Sequence, residues 1–493
     1  MKKKVIIIGA GVSGLSAGIY AQMNGFDSEI YEQHKVAGGE CTAWMRKGYT
    51  IDGAISWLTG TRPETKMNQV WNEIGAFDNS QIAFSDVFAV IEMNGRSLFW
   101  YRDIERLRGH LCEISPADET EIDRLTGMIS DLKDFEIPAG KPMDIMEPSE
   151  RMVFVKNFME VFQTLGTISS LNIEDYVKRF QSPLIVQALR SFSFQENLVQ
   201  GMLITLGSIA GCQSGWLKGG SKKLTDNLRD RYLTLGGKLS CDKKVEQIQV
   251  EDGRAVGILL RDGTCAYADY LIPACDTYVT MKKLLGGTYK DRILDRFYTS
   301  EGYRTSSIVQ VTFGVACDLS GYPEKMIHIF EQRHVAGEEF ESCLFTHYCG
   351  ESGFAPPGKS VVKTGLTVYH YEEWEHLSDE EYQHLKEEIT KVYLELLYRY
   401  IPETRGKVEM VDVTTPLTYE RYCGAYKGAY MAFMLTKETN RISHNGIVRG
   451  IKNMYIASQW LSALGGLPDA AVSGKNAIQR ICSAEHLEFT GVQ

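Results

Sequence analysis

The sequence predicts an α/β fold built on a Rossmann-type dinucleotide-binding domain, and three observations carry that prediction. A short β-branched run at residues 5–8 opens the chain, as a buried parallel strand would. Gly9-x-Gly11-x-x-Gly14 follows at once and leads into a helical pattern that extends to about Asn24. A second strand pattern, residues 28–31, then ends on Glu32. Strand, glycine-rich turn, helix and strand form a βαβ unit.

Each part of the fingerprint has a physical use. Gly9 permits the tight turn after the strand, Gly11 lets the backbone approach a pyrophosphate, and Gly14 lets the helix pack against the sheet. The amino end of the helix, around Val12 and Ser13, offers free N–H groups and partial positive charge to a phosphate. Glu32 stands where a carboxylate accepts hydrogen bonds from ribose hydroxyls. The paired glycines Gly38 and Gly39 suggest a second close approach of backbone to the cofactor. The chain carries one such fingerprint, so no separate nicotinamide domain is expected.

The rest of the chain bounds the architecture. At 493 residues it is too long for one core and predicts two or three domains. From about Gln69 to Gly207 long helical patterns dominate, as at 118–132 and 150–165. A helix over 222–231 leads into a β-meander over 244–250, 255–260 and 267–272, with turns at Asp252-Gly253 and Asp262-Gly263. Strands are expected at 306–315, 361–369 and 454–457. Helices are expected at 378–400 and from Pro468 to 481, the latter with proline near its first turn. The dinucleotide domain is therefore expected to be discontinuous, over 1–70, 208–285 and 436–493. A substrate or lid domain is expected over 71–207 and 286–435.

Composition excludes several classes. A net charge of -10 argues against a nucleic-acid partner, which needs a concentrated basic surface. Eleven cysteines without a CxxC pair read as reduced thiols in a cytoplasmic protein rather than a disulfide framework. The ten histidines show no ligand spacing, so no metal is expected. The apolar run after the basic start breaks at Gly9, so a signal peptide is rejected. No stretch is apolar enough to span a bilayer. Residues 152–209, rich in Phe, Leu, Met and Val, could instead form a lid over an apolar tunnel, a helical core, or a peripheral contact with the inner face of the membrane.

These motifs resemble a known family. Residues 5–15, Glu32, Gly38-Gly39, 48–52, Gly219-Gly220-Ser221, the 245–272 meander, 355–359, Arg421-Tyr422 with Gly428, 453–457 and Gly465-Gly466-Leu467-Pro468 through Ser473-Gly474 are similar to those of FAD-dependent phytoene desaturases, carotenoid isomerases and retinol saturases. These belong to the wider amine-oxidase-like flavoprotein superfamily. The resemblance implies FAD as cofactor and a discontinuous Rossmann-type FAD-binding domain with an inserted α+β substrate domain. It implies cofactor contacts at Gly9, Gly11, Val12, Ser13, Gly14, Glu32, Gln33, Gly38 and Gly39, with the backbone of Val245 beside the adenine. Gln459, Gly466, Leu467 and Pro468 would lie near the isoalloxazine, where a helix amino end stabilises the negative charge of reduced flavin. The implied activity is desaturation, saturation or isomerisation of C=C bonds in a long apolar substrate. The alternatives are a soluble amine or amino-acid oxidase and a flavin-binding protein without turnover.

Two positions depart from the family pattern. Glu40 stands where arginine is frequent, and is expected to turn away from the phosphates or cap a following helix. Ser56, beside Trp57, stands where some relatives carry histidine, so no acid–base role is borrowed for it. Tyr422 and Tyr430 are the candidate catalytic residues. With Arg421 and Tyr426 they are expected either to line the substrate cavity or to form an aromatic core. Cys41 is a candidate thiol near the flavin.

Overall fold

The computed structural model describes residues 2–193, 197–299, 304–437 and 443–491. At its centre a parallel sheet runs in the order Lys238–Ser240, β2 (Asp27–Tyr31), β1 (Lys4–Ile8) and Tyr270–Pro273. Ile7 pairs with Ile30 on one side and Ile272 on the other. Met454 adds a parallel bridge to Leu271. Val5, Ile6 and Ile7 are wholly buried, which is why β1 reads as an unbroken β-branched run: helices or strands cover both of its faces. Each such side chain contributes roughly 1.5–3 kcal/mol on burial.

Helix α1 (Val12–Met23) lies against the C-terminal helix, Leu467–Ala484. Small residues set how close they come: a Cβ on Gly474 would stand 2.4 Å from the Ser13 carbonyl oxygen. The Ser16 hydroxyl also donates to the Ala471 carbonyl at 2.7 Å. A buried ion pair, Lys475 Nζ to Glu73 Oε2 at 2.8 Å, adds a third helix, Lys66–Glu73, and the Tyr20 hydroxyl donates to the same carboxylate.

The meander forms over Val245–Glu251, Arg254–Leu260 and Cys265–Tyr267. Positive φ at Asp252 and Gly253 (47° and 72°) gives the first turn the twist that hairpins need. One expectation is corrected here. Residues 267–272 are not a single strand, because the chain leaves the meander after Tyr267, Asp269 accepts from the Lys4 N–H, and Tyr270–Pro273 returns to the parallel sheet.

A second sheet of eight strands runs Val408–Thr414, Thr305–Val315, Ser360–Val368, Glu338–His347, Lys325–Val335, Val87–Met93 and Arg96–Tyr101, with Ala429–Phe433 also paired to Thr305–Val315. Val309, Val311 and Phe313 pack under the helix Asp379–Tyr400 through Ile389, Tyr393 and Leu396. By the two-residue period of a strand, Gln310 and Thr312 face the other way. The expected helical character of 69–207 also needs correction, since Val87–Met93 and Arg96–Tyr101 form a hairpin inside it. Its turn is Asn94-Gly95, with φ of 52° and 75°. Val87–Met93 is mostly buried, so it lacks the alternation that distinguishes a strand from a helix segment.

Candidate active site

A cavity of about 2210 Å³ passes between the two sheets. Gly9, Gly11, Val12, Ser13, Glu32, Gln33, Gly38, Gly39, Val245, Gln459, Gly466, Leu467, Pro468 and Tyr430 all line it. Gly14 is not on its wall. It sits beneath, where a Cβ would lie 1.9 Å from the Gly9 carbonyl oxygen.

The first end is the fingerprint. Gly9 has φ of 105° and a Cβ there would meet the Ala274 carbonyl oxygen at 2.9 Å. Above Gly11 nothing stands within 4 Å of where a Cβ would be. No side chain caps the amino end of α1 and its first turn holds no acid, so its N–H groups open onto the cavity with their partial positive charge uncancelled. Gly38 is fixed beside this turn by its N–H to the Ala10 carbonyl, 2.9 Å, and Gly39 packs on Gly11. Glu32 is buried. Its Oε2 accepts the Ala10 N–H at 2.7 Å and its Oε1 the His34 N–H at 2.8 Å. A carboxylate has about four acceptor sites, so it can hold the turn and still receive a ligand hydroxyl. This combination of an open glycine, free N–H groups and a fixed acid fits an adenine dinucleotide.

The other end is the turn before the C-terminal helix. Gly465 and Gly466 adopt φ of 63° and 113°, and the Gln459 side chain fixes the turn. Its Oε1 accepts the Gly466 N–H at 2.9 Å and its Nε2 donates to Glu40 Oε2 at 3.1 Å. Glu40 therefore faces the cavity. It does so at the Gly466 turn rather than at the amino end of α1, and the expectation that it caps a following helix is overturned, since the next element is the strand Ala43–Arg46. Burial, reinforced by the Asp276 carboxylate, pushes Glu40 up to about 8. It is mostly uncharged at neutral pH. Burial also pushes Asp276 up to about 6 and Asp469, in the first turn of the C-terminal helix, up to about 7. Asp276 accepts the N–H groups of Tyr278 and Tyr426. Neither acid was singled out from the sequence, where nothing distinguishes them from surface carboxylates.

The candidate tyrosines separate. Tyr430 lies on the cavity wall, and burial holds its phenol protonated, up to about 12. Tyr422 is 50% exposed, edge-on to His34, with its carbonyl accepting from Gln33 Nε2. Tyr422 also lines the cavity, but its half-exposed ring is less suited than that of Tyr430 to chemistry in a dry site. Tyr426 belongs to an aromatic cluster with Tyr278 and Tyr298, centroids 4.7 and 4.9 Å away. Cys41 is buried, donates toward the Ser221 carbonyl, and burial raises its pKa far above that of a free thiol. It is held as an unreactive thiol.

Two motifs distant in sequence meet in the buried interior beneath the cavity wall, next to the lining residues Gly53 and Gln310. Asp52 accepts the Ser221 N–H at 2.7 Å and the Ser221 O–H at 2.6 Å. A Cβ on Gly220 would fall 2.2 Å from Asp52 Oδ2. Gln310, from the second sheet, donates to the Asp52 carbonyl at 3.1 Å. Ser56 offers its carbonyl to Lys325 Nζ at 2.9 Å. Trp57, Phe192, Met202, Ile204, Phe340 and Leu435 supply apolar wall.

Comparison with known proteins agrees with this geometry. The family model described as flavin containing amine oxidoreductase matches residues 12–482. A lycopene-forming phytoene desaturase of Pseudescherichia vulneris is 22% identical, over 96% of this chain and 98% of that protein. The chloroplastic prolycopene isomerase of Arabidopsis thaliana is 22% identical, over 86% and 73%. Among solved structures, cyclohexylamine oxidase from Brevibacterium oxydans superposes with a TM-score of 0.60 at 12% identity, covering 99% of this chain and 100% of that one. At that identity the likeness is one of fold.

Proposed function

This chain belongs to the flavin containing amine oxidoreductase family, and from that premise we propose that it is an FAD-dependent oxidoreductase acting on C=C bonds of a long apolar polyene or isoprenoid, by desaturation, saturation or isomerisation. The observation that carries the reading is the cavity of about 2210 Å³. Sites for single ligands commonly measure about 300–1,000 Å³, so a dinucleotide can share this one with a second large molecule. The names of two relatives, a phytoene desaturase and a prolycopene isomerase, supply the substrate class.

Bound FAD supplies a two-electron hydride acceptor or donor. The chain's residues position and enclose it. Gly9 to Gly14 would receive the pyrophosphate on the amino end of α1, Glu32 and Gln33 the ribose, and Val245 the adenine. Gln459 holds the Gly466 turn rigid, so that Gly466 to Pro468 would present the helix amino end to the flavin. Glu40 would add a neutral carboxyl there. The apolar wall would exclude water and hold a substrate carbon near the ring. A tyrosine protonated at neutral pH, Tyr430, can donate a hydrogen bond but not accept a proton. The division into 1–70, 208–285 and 436–493 against 71–207 and 286–435 is proposed as the cofactor and substrate halves of this arrangement.

No helix among the described residues is long and apolar enough to cross a membrane. Peripheral contact is proposed for the helix Pro148–Leu165, where Met152, Val155 and Met159, on one face at i, i+3 and i+7, are exposed.

The test is anaerobic mixing of holoprotein with phytoene or lycopene, followed by flavin absorbance and chromatography of the polyene. Bleaching of oxidised flavin, re-oxidation of reduced flavin, or a changed isomer without net redox change is expected. A flavin spectrum and a polyene both unmoved in either redox state, with peroxide released on a panel of amines, would establish the amine-oxidase alternative instead.

A further inference from the structure

One row of side chains crosses the face of the second sheet that looks into the cavity. Register pairs Asp412 with Thr312, Thr312 with Lys363, Lys363 with Thr346, and Thr346 with Lys325. Residues directly opposite on neighbouring strands share a face, so all five project the same way. The two lysines are two strands apart, about 10 Å between their Cα atoms. Lys363, Thr346 and Asp412 line the cavity, as do Ser56 and Trp57, which touch Lys325.

Among the described residues neither lysine forms an ion pair. The Lys363 ammonium lies 5.7 Å over the ring of Tyr348. Lys325 donates to the Ser56 carbonyl and lies 4.6 Å over the ring of Phe88. The acids around them are otherwise engaged. Asp412 takes the Arg46 guanidinium at 2.8 Å. Asp52, the carboxylate that acts on Lys363, gives its oxygens to Ser221 and Ala54. Glu324 is exposed and accepts from Ser85, and Arg102 adds a further positive charge near Lys325. Arg102 has Asp86 beside it, so the two lysines are left with Asp52 and Glu324, neither within ion-pair distance, while Asp412 is neutralised by its arginine. Burial and the repulsion of Lys363 and Arg102 act against the charge on Lys325, which is lowered to about 8 despite Glu324. The Lys363 ammonium stands on the cavity wall, where Tyr348 and Asp52 hold its pKa above the ordinary lysine value despite burial, and that of Lys325 lies behind Ser56 and Trp57; two such cations without an ion-paired carboxylate leave room for an anion to meet them there.

We infer that this row is the head-group subsite of the substrate chamber, and that the substrate is an apolar chain ending in an anion, a carboxylate or phosphate, held by Lys363 and Lys325. The inference rests on the proposed reading of the cavity as a site for a long apolar substrate and adds the polarity of one end. Thr346, between the lysines, supplies a hydroxyl to the same anion. An anchored head fixes which carbon along the chain is presented to the flavin, which an unanchored hydrocarbon would leave free to slide.

The test is equilibrium binding to the holoprotein by quenching of tryptophan fluorescence, with retinoate, geranylgeranyl phosphate and methyl retinoate as probes. An anionic probe should bind at least about tenfold more tightly than the neutral ester, the range of a charge-assisted hydrogen bond. The better of the two anions identifies the source of the charge. Lys363→Met and Lys325→Met should each erase most of that advantage, read as the ratio of the anion's affinity to the ester's, and Lys363→Arg should keep it. Equal affinity of both anions and the ester for the wild-type protein overturns the inference without any variant having to fold. Survival of the advantage in both methionine variants overturns it too. If the ester binds and the anions gain nothing, the apolar reading of the cavity stands and the anchor alone fails. If no probe binds, both fall.

Discussion

Gly14 has no room for a side chain, and the obstruction is backbone. A Cβ would meet the Gly9 carbonyl oxygen at 1.9 Å and the Ala274 Cβ at 3.2 Å. Neither neighbour can yield without moving the turn. Gly14→Ala is expected to cost about 3 kcal/mol and to lower flavin content, read as a shifted denaturation midpoint and less flavin absorbance per chain. Gly11 differs: its side-chain position is open, so Gly11→Val should leave the midpoint of the apoprotein nearly unchanged while flavin retention falls. Glu40 gives a pH prediction. Its folded carboxyl binds a proton more tightly than an unfolded glutamate does, with pKa raised from 4.5 to about 8. Between those values the unfolded chain carries fewer protons, so stability falls as pH rises, and the penalty is complete above about 8. Glu40→Gln lacks this penalty. Its thermal midpoint should exceed that of the wild type by a margin that grows from pH ~5 to ~8; a constant margin would contradict the assignment. Asp276 and Asp469, also raised, contribute slope of the same sign in both proteins.

At the scale of elements, the pieces whose local chemistry is self-contained could be read from the sequence. The helix Asp379–Tyr400 carries its own start signal, a capping box between Ser378 and Glu381, and it was expected over 378–400. Ser378→Ala should cost about 1 kcal/mol in chemical denaturation, with flavin content unchanged, because Ser378 is exposed and its hydrogen bonds stay within the first turn of its own helix. The hairpin of Val87–Met93 and Arg96–Tyr101 was not read, although Asn94-Gly95 is a strong turn signal. A strand buried on both faces has no alternation to show. The helix Pro148–Leu165 exposes Met152, Val155 and Met159 to solvent, which is costly in water and favourable at a lipid interface. Replacing all three with glutamate should abolish sedimentation with anionic liposomes at low salt while leaving thermal stability within about 0.5 kcal/mol per position, the range for exposed sites. Wild-type protein that does not sediment would end the membrane proposal.

In the whole molecule, the cavity is a seam between sheets, closed to one side by the apolar cluster of Tyr49, Ile51, Tyr348, Phe354, Val361 and Met410 and crossed elsewhere by polar contacts. Gln310 reaches the Asp52 carbonyl, Asp52 holds Ser221, and Gln459 joins Glu40 to the Gly466 turn. A cofactor lying in that seam would join the same parts. Removing FAD should therefore lower the thermal midpoint, and added FAD should restore it in a concentration-dependent way, by about 2.7 kcal/mol at a hundred times the dissociation constant. Apoprotein as stable as holoprotein, with no dependence on FAD concentration, would place the flavin outside the seam.

The sequence by itself determined the parts whose physics is local: the glycine fingerprint, the acid closing β2, the hairpin turn at Asp252-Gly253, the capped helix at 379–400 and the glycines before Leu467. Each depends on backbone geometry or capping within a few residues. Tertiary structure alone decided what depends on long-range pairing. It returned Tyr270–Pro273 to the parallel sheet, turned Glu40 into the cavity as a neutral carboxyl, and set Tyr422 half-exposed on the cavity wall. It also aligned Asp412, Thr312, Lys363, Thr346 and Lys325 in one row drawn from five strands. A strand's partners are set by register across the sheet and a carboxyl's charge by what buries it, and neither is encoded at the residue's own position in the chain.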